Sequence, residues 1–214
     1  GGRYGDVIEE IDWSVGQVMQ AIKDKGLDEH TIVVFTSDNG PWSMFGPHGG
    51  SAAPLRGEKG TCWEGGYRVP GIFRWPGKIK PGVVEGLAAN LDLYATFARL
   101  ASDSAPSEDT TEQPGYISMD LTGTLLHNES SPRQRWIYSS GASAFRSGRY
   151  KIHLATKDRS SNPDTRRREP IAKHDPPLLF DQSKDVSEQH NIAADHPEIV
   201  KRLRQEMAAF RGER

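Results

Sequence analysis

Thr31-Ile32-Val33-Val34-Phe35-Thr36-Ser37, followed by Asp38-Asn39-Gly40, is the stretch on which the fold class turns. Its first six residues, Thr31 to Thr36, form an unbroken β-branched and aromatic run. A run without alternation predicts a strand covered on both faces, as in a parallel sheet. Upstream, Val7, Ile8, Ile11, Val15, Val18, Met19 and Ile22 recur every three or four residues, which predicts an amphipathic helix over 5–25. Acidic residues open that segment, Lys23 and Lys25 close it, and Gly26 is a natural stop. A helix feeding a buried strand is half of an α/β unit. The sequence opens at that helix, so the expectation is a domain entered partway, with its earlier strands elsewhere.

Downstream of Gly40 the chain is glycine-rich as far as Pro70 and has no period. A loop of that length is functional or disordered, and Trp42, Phe45, Trp63 and Tyr67 argue against disorder. Gly71–Trp75 predicts a short strand ended by Pro76-Gly77, and Asn90 a cap for a helix over 91–101 with Leu91, Tyr94, Ala95, Ala98 and Ala101 on its apolar face. Residues 102–115 are polar and turn-rich and predict an exposed connector. Beyond them, Trp136–Tyr138, Ala144–Arg146, Tyr150–Leu154 and Leu178–Phe180 predict short strands, with a hairpin turn at Ser147-Gly148. A last helix is expected from Asp195, with Ile199, Val200, Leu203, Met207 and Phe210 inward. The expected organisation is an α/β part over 1–128 and a small antiparallel-sheet-plus-helix unit over 129–214.

Composition narrows the function. A net charge of -2 supplies no global basic field for nucleic acid, and no apolar stretch reaches membrane-spanning length. The local run Arg166-Arg167-Arg168 reads as a solvated loop. Cys62 is the single cysteine, so no disulfide forms within the chain. No signal peptide is visible in GGRYGDVIEE.

Two clusters carry chemistry. Asp38 and Asn39 sit where the buried strand ends, the edge at which open α/β sheets gather ligands. Both are hard oxygen donors suited to calcium or magnesium, although Asn-Gly by itself is an ordinary turn. The second cluster is Pro54-Leu55-Arg56-Gly57-Glu58-Lys59-Gly60-Thr61, in which glycines flank Lys59 and would let it approach an anion. It lacks the spacing of a phosphate-binding Walker loop. His48 and His174 are weaker candidates for substrate contact, and Arg56 suits either an anion or a salt bridge. Trp63 and Tyr67 read as core packing.

TSDNGP (36–41), PLRGEKGTCWEGGYRVP (54–70) and WPGKIKPG (75–82), in that order and spacing, resemble the second half of a sulfatase catalytic domain. SPRQRW, FRSGRYKIHL and PPLLFDQSKDVSEQHNIAADHPE resemble the C-terminal subdomain of the arylsulfatase A group of that family. The resemblance implies an alkaline-phosphatase-like α/β fold, here a partial catalytic domain followed by a small α+β subdomain. It implies sulfate ester hydrolysis by a formylglycine nucleophile, made by a formylglycine-generating enzyme, beside a divalent cation, usually calcium. It assigns metal ligation to Asp38 and Asn39 and sulfate contact to Lys59, and it implies export from the cytoplasm. The substrate class is a small-molecule, carbohydrate or lipid sulfate ester.

The pattern is incomplete. No C/S-x-P-x-R nucleophile motif occurs; Ser130-Ser131-Pro132-Arg133-Gln134 comes nearest and ends in the wrong residue. The early aspartates of the metal site are absent, and two ligands fall short of the roughly six to eight oxygens that calcium takes. The nucleophile is therefore expected outside this chain, and the chain alone is expected to be inactive. Alternatives left open are a phosphodiesterase or phosphonate hydrolase of the same superfold and a non-catalytic remnant.

Overall fold

The computed structural model describes residues 2–102, 118–139, 143–162 and 164–212. Most of the expected 102–115 connector lies outside the described residues. Helix α1 (Gly2–Asp24) leads through a 3-10 turn (Asp28–His30) into strand β1 (Val33–Thr36). Gly26 stops the helix in a left-handed conformation, φ +67°, that a residue with a Cβ adopts only at a cost. A second 3-10 segment (Ser43–His48) and one helical turn, α2 (Glu64–Tyr67), interrupt the long loop before β2 (Gly71–Arg74).

The expected parallel sheet is corrected here. Among the described residues β1 pairs with β2 alone, and the pairing is antiparallel, Val33 opposite Arg74 and Thr36 opposite Gly71. Arg74 grips Asp28 with both amino groups, at 2.7 and 2.9 Å, and Trp75 donates to the Glu29 carbonyl, so β2 is tied to the turn that precedes β1. Phe35 is exposed, and it joins Val33 and Val34 of β1 with Val7, Ile11, Val15 and Val18 of α1 in an open apolar groove of about 430 Å³.

Helix α3 (Asp92–Leu100) forms where expected but for another reason. Asn90 does not cap it. Its amide bonds the Thr36 hydroxyl and the Ser37 carbonyl, fastening the end of β1. The residues α3 buries are Asp92 and Thr96, while Tyr94 of the expected apolar face is exposed. Asp92 accepts from the Ala89 and Met119 amides and pairs with buried Arg133.

After α4 (Thr122–His127), strands β3 (Arg135–Tyr138), β4 (Ser143–Ser147), β5 (Tyr150–Thr156) and β6 (Ala172–Asp181) form an antiparallel sheet in sequential order. Helix α5 (Pro197–Gly212) starts two residues later than expected and covers one face. Val200, Leu203, Met207 and Phe210 of α5 pack on Ile137, Phe145, Ile152 and Leu179 as the main apolar core. On the other side, Trp63 stacks on His153, ring centroids 4.3 Å apart, and meets Phe180 edge-on at 5.9 Å. The loop carrying Lys59 is thereby seated on this sheet.

Candidate functional site

The site is built from three loop segments held together mainly by backbone. Asp38 and Asn39 follow β1. The Gly40 amide donates to the Gly66 carbonyl at 3.2 Å, and the Lys59 amide to the Pro41 carbonyl at 2.8 Å. Only glycine allows this approach, since a Cβ on Gly40 would lie 1.7 Å from the Gly65 oxygen. Glu58, buried beside Lys59, accepts from the Ser43 amide at 2.6 Å and from the Ser160 amide at 2.9 Å. Ser160 in turn accepts from the Trp42 indole at 2.7 Å. The β5–β6 loop thus closes on the Lys59 loop and the strand-end loop together.

The backbone of Lys59 is fixed while its side chain is exposed. Its ammonium lies 5.6 Å from the Trp42 ring centre, within cation–π range, and has no carboxylate partner among the described residues. The Asp38 carboxylate is likewise exposed and unpaired among the described residues. Asn39 donates its amide nitrogen to the Gly40 carbonyl at 3.1 Å, which leaves the side-chain oxygen as a donor atom. These two hard oxygens suit a divalent cation of the calcium or magnesium type. Among the described residues no group of three or more His, Cys, Asp or Glu is placed to hold a metal ion.

His48 is exposed at the end of the 3-10 segment on the same loop as Trp42, without a side-chain partner among the described residues. His174 lies on β6, and its Nε2 is bonded to the Thr156 hydroxyl at 2.8 Å. Arg56 adopts the structural role: its guanidinium lies 3.8 Å over Trp63 and pairs with Asp158 at 2.9 Å. Trp63 is core, as expected, and Cys62 is buried against Tyr138 and Ala144.

Sequence reasoning missed the supports. Glu58 lies in the glycine-flanked Lys59 motif and Trp42 just after the strand-end motif, but their common partner Ser160 is 102 residues from Glu58. It also missed a buried network under the loop. Lys151 lies between Glu64 at 2.8 Å and Glu188 at 3.0 Å, and His153 meets the same Glu188 oxygen at 2.7 Å. Tyr138 donates to Glu64, and the Glu64 amide donates to Glu188. A Lys and a His two apart on one strand, both facing inward, are a faint signal of such burial.

Comparison with known proteins agrees with this architecture. Residues 2–104 match the sulfatase family model, and residues 125–213 match the model of the C-terminal region of aryl-sulfatase. Human arylsulfatase A is 41% identical over 95% of this chain, which spans 42% of that relative's length. Rat steryl-sulfatase is 33% identical over 94% of the chain, which spans 39% of it. The crystal structure of a Pseudoalteromonas sulfatase superimposes with a TM-score of 0.84 at 31% identity, over 97% of this chain and 42% of that one. The expected sulfatase fold, of the alkaline-phosphatase-like class, is thereby borne out. The chain belongs to the sulfatase family.

Proposed function

We propose that this chain supplies the C-terminal share of a sulfuric ester hydrolase of the arylsulfatase type, divided near residues 128 and 129 into a catalytic part and a small subdomain. The observation that carries the proposal is an unpaired lysine ammonium on a rigid backbone, hydrogen-bonded to the loop that presents Asp38 and Asn39. A sulfate ester carries one negative charge, and more develops on the ester oxygen as the S–O bond breaks. Lys59 would hold that charge as a compact point cation that needs no bidentate geometry. Asp38 and Asn39 would hold a divalent cation, calcium by family resemblance or magnesium. A bound cation supplies Lewis-acid stabilisation of the sulfate oxygens. His48 and His174 are proposed as further substrate contacts. The nucleophile, a formylglycine by family resemblance, would lie outside this chain, in which no C/S-x-P-x-R motif occurs. The phosphodiesterase and phosphonate hydrolase alternatives gain nothing from the comparisons, whose family models and relatives are sulfatases.

The test is steady-state hydrolysis of p-nitrophenyl sulfate by the full-length protein. Lys59→Ala is expected to lower kcat/KM by roughly 10²–10³, the typical effect of removing one preorganised charge-stabilising group, with the melting temperature unchanged. Lys59→Arg is expected to recover only part of the loss, because the broad guanidinium does not reproduce a compact ammonium. Wild-type kinetics in Lys59→Ala would remove the assignment.

A further inference from the structure

The arginines of the loop between β5 and β6 have no part in the chemistry proposed for Lys59, Asp38 and Asn39. Between Lys157 and Glu169 the loop carries five basic and three acidic side chains. Asp158 is engaged by Arg56. Arg159, Arg166, Arg167 and Arg168 are exposed and make no ion pair among the described residues, nor do Asp164 and Glu169. Several arginines elsewhere are partnered, such as Arg74 with Asp28 and Arg204 with Asp175. The loop is also built. Asn162 accepts through its side chain from the Asp164 and Thr165 amides, and the Asn162 amide donates to the Arg167 carbonyl at 2.6 Å. Arg166 is held at φ +56°, a costly conformation for a residue with a Cβ.

This loop is anchored in the site. Ser160, next to Arg159, makes the bonds to Trp42 and Glu58 described above. A Cβ on Gly60 would meet the Ser160 Cβ at 2.9 Å, so the two loops are in direct contact on either side of Lys59. From Ser160 to Asn162 the chain spans at most about 7 Å. The bond from Asn162 therefore brings the Arg167 backbone within about 10 Å of Ser160.

From this placement we infer that Arg159 and Arg167, with Arg166 and Arg168 beside them, form a cationic subsite for a second anionic group on the substrate. The class of substrate is then a sulfate ester bearing another sulfate or carboxylate, as on a multiply sulfated saccharide, rather than a monoanionic aryl sulfate. The inference rests on reading Lys59 as the contact to the scissile sulfate. Screening sets its form. Exposed charges lose most of their long-range effect beyond about 8 Å at physiological salt, so these arginines act on a group they touch and not on the reacting sulfate.

The experiment compares p-nitrophenyl sulfate with a disulfated disaccharide as substrates of the full-length protein, wild type against Arg159→Ser/Arg167→Ser. An exposed ion pair is worth up to about fivefold in binding. KM for the disaccharide is therefore expected to rise by roughly tenfold, kcat to stay level, and p-nitrophenyl sulfate kinetics to stay unchanged. The corresponding double lysine variant is expected to restore most of the KM. The control Lys201→Ser/Arg202→Ser, which removes two exposed cations from α5, is expected to change neither substrate. Equal effects of the loop variant on both substrates, or none on the disaccharide, would overturn the subsite. If the wild type turns over neither substrate, the functional reading fails separately. Calorimetric titration with the disaccharide and its monosulfated analogue then decides the subsite: selective weakening of the former supports it, and unchanged affinity overturns it.

Discussion

Asp38 and Lys59 stand out in the sequence as candidates because short motifs carry them, and the residues that hold them in place do not. An Asp-Asn-Gly after an apolar run already marks a strand end with two hard oxygens, and glycines on either side of a lysine mark a backbone that packs closely. Glu58 looks in sequence like one more loop carboxylate. Its burial follows from three donors, two of them on Ser160, and no spacing rule reaches that far. At this scale the proposed metal site is directly testable. Asp38→Ala removes a charged ligand and Asn39→Ala a neutral one, so the first is expected to lower bound calcium more than the second in the full-length protein. Metal analysis after equilibrium dialysis measures both. Equal metal content in wild type and the double variant would remove the pair from the coordination shell.

Elements were read well where one pattern decided them. Helix α5 has a single apolar stripe and a single partner, and every residue expected inward except half-buried Ile199 is buried. Helix α3 failed the same reasoning because its fixed points are polar. Asp92 and Thr96 bond backbone and Arg133 across 25 to 41 residues of sequence. Strand β6 ran longer than expected because Pro176 and Pro177 look like a break. They fall instead where the register with β5 shifts, between the pairs Lys173–Ala155 and Leu178–His153, on an edge strand that tolerates missing donors. The contrast gives a stability prediction. Leu203→Ala, at 0% exposure, is expected to cost about 2–5 kcal/mol. Tyr94→Ala, at 67% exposure, is expected to stay within about 0.5 kcal/mol of wild type. Denaturant unfolding of the two variants measures both, and a large loss in Tyr94→Ala would restore the apolar-face reading of α3.

Across the whole molecule, the sheet of β3–β6 and the site loop are joined through buried charge, and that joint makes stability depend on pH. His153 has its pKa driven down to about 4 by burial, with the Lys151 charge acting the same way and the Glu188 hydrogen bond opposing. Its Nδ1 is buried without a hydrogen-bond partner among the described residues, so a second ring proton has no acceptor. Above pH 6.5 the imidazole is neutral folded or unfolded. Between pH 6.5 and about 4 the unfolded chain takes up a proton that the folded one refuses. Stability therefore falls as pH falls, by about 1.4 kcal/mol per pH unit and about 3 kcal/mol over the window. Glu64 adds to the same slope further down. Burial pushes its carboxyl up, but Lys151, Arg146 and Tyr138 together hold it below the usual 4.5. The stability that depends on its charge is present above that value and is lost as pH drops through the lower folded one. Both groups favour neutral pH. Unfolding free energies of the protein measured at pH 7, 5.5 and 4.5 are expected to decline steadily. His153→Gln removes the titrating ring while keeping a polar side chain for Glu188, so it should start less stable at pH 7 and lose less between pH 7 and 5.5. A variant that retained the wild-type slope over that interval would place the acid sensitivity in other groups and leave His153 as a packing residue only.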